Sequence, residues 1–168
     1  MNLKQFLTEL SPYVIPLILY FVIYRKLNKI DFEQKFIFEN IYIDKKRVLE
    51  ELIYNISLAQ ELSFQVSEER KSYDDFRVKI EKVSKTCKSS LYLNSNIIKI
   101  TDQLYEILHQ ALLRSLLYIK QASLTKSEEV KYELFKKYIS DLKNLYKNQG
   151  YATLFLQLKN ALKDEIYI

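Results

Sequence analysis

Glycine occurs once in the 168 residues, at Gly150, proline only at Pro12 and Pro16, and tryptophan not at all. With neither Gly nor Pro between Leu17 and Gln149, turn-rich β architecture is disfavoured and long helices are expected. One cysteine, Cys87, excludes an intrachain disulfide framework and fits a reducing compartment. One histidine, His109, restricts Ser-His, Cys-His and multi-histidine metal chemistry to a single residue. A single glycine also leaves no Gly-rich phosphate loop.

Charge is plentiful but mixed. The 26 Lys and Arg against 21 Asp and Glu give +5, spread too diffusely to indicate nucleic acid. Against this background the one concentrated feature is the apolar run at the start. Leu10 to Tyr24 carries no charge, and extension back to Phe6 adds only Glu9. Nineteen residues make a helix of about 28 Å, close to the roughly 30 Å of a hydrocarbon core. Phe6, Leu10, Ile15, Leu17, Leu19, Phe21 and Ile23 supply its apolar surface. Tyr13, Tyr20 and Tyr24 are residues that settle at a membrane interface. Ser11-Pro12 is a cap with a first-turn proline, and Pro16 predicts a bend one turn later. A cleaved export signal would carry its cations first and small residues last, which is not the order here. A core helix of a soluble domain is the other alternative, since short apolar runs are often buried.

The flanking cations set an orientation. Seven Lys or Arg lie between Arg25 and Arg47, against Lys4 alone before the run. The positive side stays cytoplasmic, so the sequence predicts a single-pass protein of the cell membrane, amino terminus outside. Arg25, Lys26 and Lys29, with Lys45, Lys46 and Arg47, form a candidate patch for anionic headgroups or a partner.

Three segments result: a membrane anchor over 1–30, a linker or helix extension over 31–43, and a cytoplasmic helical bundle over 44–168. The linker is ambiguous, because Phe36 and Phe38 alternate like a strand while Phe32 and Phe36 suit a helix; the absence of a breaker favours helix. From Asp44, read as a cap, apolar residues follow helical spacing through Val48, Leu49, Leu52, Ile53, Ile56, Ala59, Leu62 and Val66. Tyr73, Phe76, Ile80, Val83 and Cys87 repeat in steps of three and four, a bundle seam. Ile97, Thr101, Leu104, Leu108, Ala111, Ser115, Tyr118 and Ala122 form one stripe, and Ile98, Tyr105, Leu112 and Ile119 a second. Burial on two sides makes this the expected central helix. Thr125 and Glu128 read as a capping box for the next helix, which Gly150 closes, and a last helix carries Tyr151 to Leu162. The fold class is therefore all-α, an up-down antiparallel bundle of about five helices behind a Pro-kinked anchor.

No catalytic or metal site and no cofactor is assigned. Glu106 and His109 have the Glu-x-x-His spacing of ferritin-like di-metal sites, which need the motif twice. Helical-bundle ribonucleases carry Arg-x(4–6)-His, whereas here Asp102, Gln103 and Leu104 hold the arginine positions. Lys136, Lys137, Lys143 and Lys147 make a basic face that suits an acidic partner or nucleotide weakly, since Glu133 and Asp141 dilute it. Leu113, Leu116 and Leu117 widen the central helix and mark a candidate oligomer face. Together these features predict a contact protein, an adaptor, scaffold or regulator at the membrane, with an oligomerising membrane-perturbing effector as the alternative.

Overall fold

Among the described residues the computed structural model holds five helices: α1 Leu3–Phe64, α2 Arg70–Ser89, α3 Ser95–Ser123, α4 Glu128–Asn148 and α5 Tyr151–Ile166. The structure describes residues 3–67, 70–89 and 93–166, and within them the side chains of 19–67, 70–88 and 93–165. The chain divides into two units, Met1–Asp44 and Lys45–Ile168.

In the first unit α1 runs through residues 31–43, so the strand alternative for this stretch is set aside. Among the described residues no helix is long and apolar enough to cross a membrane. Beyond Tyr24 the reason is plain: Arg25, Lys26, Lys29, Asp31, Glu33 and Lys35 interrupt any apolar window. Phe6, Leu10, Tyr13, Ile15, Pro16 and Leu17, with the bend expected at Pro16, lie outside the described side chains.

The second unit holds the core. Leu49, Leu52, Ile56, Ala59 and Val66 of the first helical column are buried, as are Phe76, Ile80 and Val83 of α2. Every residue of the predicted main stripe of α3 is buried, and α3 packs against α2, α4 and α5. The second row differs from expectation. Ile100 and Ile107 are buried beside Leu112, while Ile98, Tyr105 and Ile119 are only partly covered.

The contacts give the helix directions. Along α3, Asn94 meets Glu165, Arg114 Nη1 donates to Asp141 O at 3.2 Å, Ser115 meets Tyr138, and the Tyr118 ring lies 5.9 Å from Phe135. Along α1, Lys45 pairs with Glu165, Tyr151 Oη donates to Ile56 O at 3.3 Å, and Ser63 Oγ lies 2.7 Å from Tyr146 Oη. In both series the partner's number falls as the helix's own number rises. α5 therefore continues the course of α4 along the bundle, and five helices fill four columns. Gly150, at φ 64°, makes the break between them: its N–H reaches Lys147 O, and its own carbonyl accepts Leu154 N–H, the first bond of α5.

Two expected caps are corrected. Asp44 lies inside α1 and opens no helix, because the residues before it are already helical. Thr125 spends its hydroxyl on Gln121 O at 3.0 Å, closing α3, and α4 starts after Ser127 with Glu128 and Glu129 in its first turn. By contrast Asn94 caps α3 as its chemistry suggests, Oδ1 accepting Ile97 N–H at 2.8 Å.

A chain of buried hydroxyls crosses the core. Tyr146 bonds Ser63 Oγ, which donates to Gln60 O at 2.6 Å; Tyr138 Oη donates to Ser63 O and lies 2.7 Å from Ser115 Oγ, itself bonded to Ala111 O at 2.9 Å. Three columns are thus tied by groups that are costly to leave unpaired.

Candidate interaction surface

The reactive side chains are quiet ones. His109 stacks on Tyr105, one turn before it, with ring centroids 6.0 Å apart. Among the described residues no three of His, Cys, Asp and Glu come together as a metal site. Cys87 is half-buried against α3, and burial pushes its thiol up to about 11, with Thr101 hydrogen bonding in the opposite sense. A thiol held protonated is a poor nucleophile.

What the structure does present is bare apolar surface. Every residue from Leu19 to Ile43 is exposed, and 15 of them are large hydrophobics. Fully burying one such side chain is worth about 1.5–3 kcal/mol, so covering half of this surface gains on the order of 10–20 kcal/mol before ordering costs. Phe32 and Phe38 stand 70% and 79% exposed, far beyond what a scattered surface residue needs. Local contacts organise the first turns. Tyr20 and Tyr24 stack at 6.1 Å, Arg25 lies 5.3 Å over the Phe21 ring, and Lys29 faces Glu33 at 3.8 Å. Of the expected anchor residues, Leu19, Tyr20, Phe21, Ile23 and Tyr24 belong to this exposed set. The apolar residues of 31–43 read in sequence only as a helix extension; their share in the surface is a finding of the structure.

The basic residues divide between the units. Arg25, Lys26 and Lys29 are exposed in the first. In the second, Lys45 is engaged by Glu165, whose carboxyl is held below its usual range chiefly by that bond and by Asn94, and Lys46 faces Glu50 at 3.8 Å. Arg47 also has a partner. On the Lys-rich face of α4, Lys136 bonds Glu133 at 2.8 Å and lies 4.3 Å over the Tyr132 ring. The hydrogen bond to Glu133 raises its pKa. Lys137 lines a groove with Arg114 and Asp141. This face is a mixed-charge surface as the sequence suggests.

Leu113, Leu116 and Leu117 are each about half exposed on α3, and Leu117 borders that same α3–α4 groove. No family model, curated protein or solved structure matches the chain.

Proposed function

We propose that the protein is a membrane-anchored interaction protein, working by contact as an adaptor, scaffold or regulator. Residues 6–24 hold it in the membrane, amino terminus outside, and the bundle of 45–168 lies in the cytoplasm. The observation that carries this reading is the unbroken exposure of Leu19 to Ile43, a helix whose apolar side chains call for cover. At its start the Tyr20–Tyr24 pair and Arg25, Lys26 and Lys29 suit a headgroup layer. The absence of paired reacting groups in the sequence motivates contact in place of catalysis.

The test is extraction. The full chain is expected to sediment with membranes and to resist alkaline carbonate; release into the soluble fraction refutes the anchor. A cysteine placed near Met1 is expected to label from outside, and Cys87 only after the membrane is opened and the protein denatured. The reverse pattern inverts the topology.

A second reading, an oligomerising effector that perturbs the membrane, is favoured by the exposed Leu113, Leu116 and Leu117 on α3 in addition to the exposed residues 19–43. It requires leakage of dye from liposomes that is lost in Leu17→Asn and Phe21→Asn.

A further inference from the structure

We propose that Tyr20 to Ile41 is a parallel coiled-coil seam for further copies of this chain, closing three or four chains in preference to two. The proposal rests on the reading of residues 19–43 as a contact surface and names what covers it.

Tyr20, Ile23, Leu27, Ile30, Gln34, Ile37 and Ile41 step by 3, 4, 3, 4, 3 and 4, the repeat that keeps one seam turned to a neighbour. All seven are exposed, and they sit within a single unbroken helix. The charges at Lys29, Asp31, Glu33 and Lys35 on the same turns exclude hydrocarbon as the cover from Leu27 onward. Protein in water is left. The buried residues of α1 after Lys45, beginning at Leu49 and Leu52, also step by three and four but one position later in the count of seven. The exposed stripe is therefore a separate pattern from the one the bundle buries.

Three features select a second copy over a foreign helix. Tyr20, Leu27, Gln34 and Ile41 take the a positions and Ile23, Ile30 and Ile37 the d positions. Lys26 then falls at g and Asp31 at the following e, so parallel copies in register bring Lys26 of one chain to Asp31 of the next. One sequence supplies both charges. Gln34 interrupts the stripe at a, where a parallel copy places another Gln34 opposite; each amide holds donor and acceptor and can satisfy the other. Against a wholly apolar foreign seam it would be buried unpaired, at about 1–3 kcal/mol. Finally, isoleucine fills all three d positions, and Leu or Ile at a with Ile at d shifts preference from two strands to three or four.

The area suffices. With Tyr24 and Phe38 at e widening the stripe, eight large apolar side chains stand 43–79% exposed. At roughly 150–200 Å² apiece when fully open, they offer about 800 Å² per chain, the share of one partner in a stable interface, with about 500 Å² of it from Leu27 onward, beyond the segment that the membrane holds. Phe32, Phe36 and Ile43 fall on the opposite side of the helix and lie outside the seam.

The experiment uses the full chain in mild detergent. Light scattering is expected to give three or four protomers, and Ile30→Asp with Ile37→Asp is expected to give one, with helix content and bundle unfolding unchanged. If that variant also loses helix, single cysteines in a Cys87→Ser background decide. Gln34→Cys is expected to link chains on oxidation about tenfold more than Glu39→Cys, whose f position keeps its Cα far beyond the 7 Å a disulfide can bridge. A monomer or dimer over a wide concentration range overturns the proposal, as does equal linking at both positions. A monomer that binds vesicles through residues 27–41 assigns the stripe to lipid, and one that stays in solution assigns it to a foreign partner; either outcome overturns it. A chain that resists carbonate but runs as a monomer fails the seam and leaves the anchor standing.

Discussion

Replacing Tyr138 by Phe removes one oxygen from the middle of the core and leaves the ring, stacked 4.9 Å from Tyr118, in place. The carbonyl that loses its donor is Ser63 O, in the last turn of α1. A continuing helix would offer it Ser67 N–H, but that group bonds Ser72 Oγ at 3.0 Å. A buried acceptor stripped of its donor costs about 1–3 kcal/mol. Tyr146→Phe is the control. There the Ser63 hydroxyl keeps Gln60 O, so only a net hydrogen bond of about 0.5–1.5 kcal/mol is lost. Urea unfolding of residues 45–168, which contain the whole buried core, is expected to rank Tyr138→Phe as the more damaging change. The two variants also differ in alkali. Burial pushes the Tyr138 phenol up to about 12, with the Ser115 bond pulling it back in part. Its folded pKa lies above the unfolded value near 10, so its contribution is complete below pH 10 and is lost as pH rises to 12. Over those two units the loss is about 2.7 kcal/mol, and Tyr138→Phe should flatten the slope by up to about 1.4 kcal/mol per unit. Tyr146 and Tyr151 shift the same way by burial and keep a residual slope in the variant. Equal costs for the two variants, or an unchanged alkaline slope, would refute the assignment of Tyr138 to Ser63 O.

Gly150→Ala should cost about 1 kcal/mol, because nothing lies within 4 Å of the added Cβ and only the left-handed φ of 64° is strained; thermal unfolding should fall by a few degrees, and Gly150→Asn should recover part of it. Cys87, raised to about 11 by burial, should resist thiol reagents near pH 8 in the folded protein and react on addition of urea; fast labelling without denaturant would contradict its packing against Thr101.

Much of the bundle was legible because its pattern is local. The α3 stripe from Ile97 to Ala122 repeats at helical spacing, and burial followed it without exception. Caps were less legible, since the same hydroxyl that opens a helix also closes one: Thr125 faces back to Gln121 O and leaves the next start to Ser127. The break at Asn148-Gln149-Gly150 was visible, but its consequence was not. A two-residue gap accommodates either a return or a continuation, and the apolar faces of both neighbours decide between them. Ser115 fell in the α3 stripe by its spacing, but Ser63 gave no sign of burial, because the tyrosines that satisfy it lie 75 and 83 residues away. The same limit applies to the surface. Apolarity of residues 19–43 is plain in the sequence, whereas their exposure in the structure is a tertiary fact.

The long separation of the ties to α1 bears on how the chain is made. Ser63 waits for Tyr138 and Tyr146, Ile56 for Tyr151 and Lys45 for Glu165, across 75, 83, 95 and 120 residues. At roughly 5–20 residues per second, that leaves α1 outside the ribosome for about 6 to 24 seconds before its last partner emerges. Its core face and the bare stripe before it are both open during that interval. The window coincides with the period when a nascent chain meets a membrane, a chaperone or a sister chain on the same message. Recruitment of the first unit during synthesis would shield the stripe while the bundle waits for α4 and α5, so the order of synthesis favours capture first and folding second.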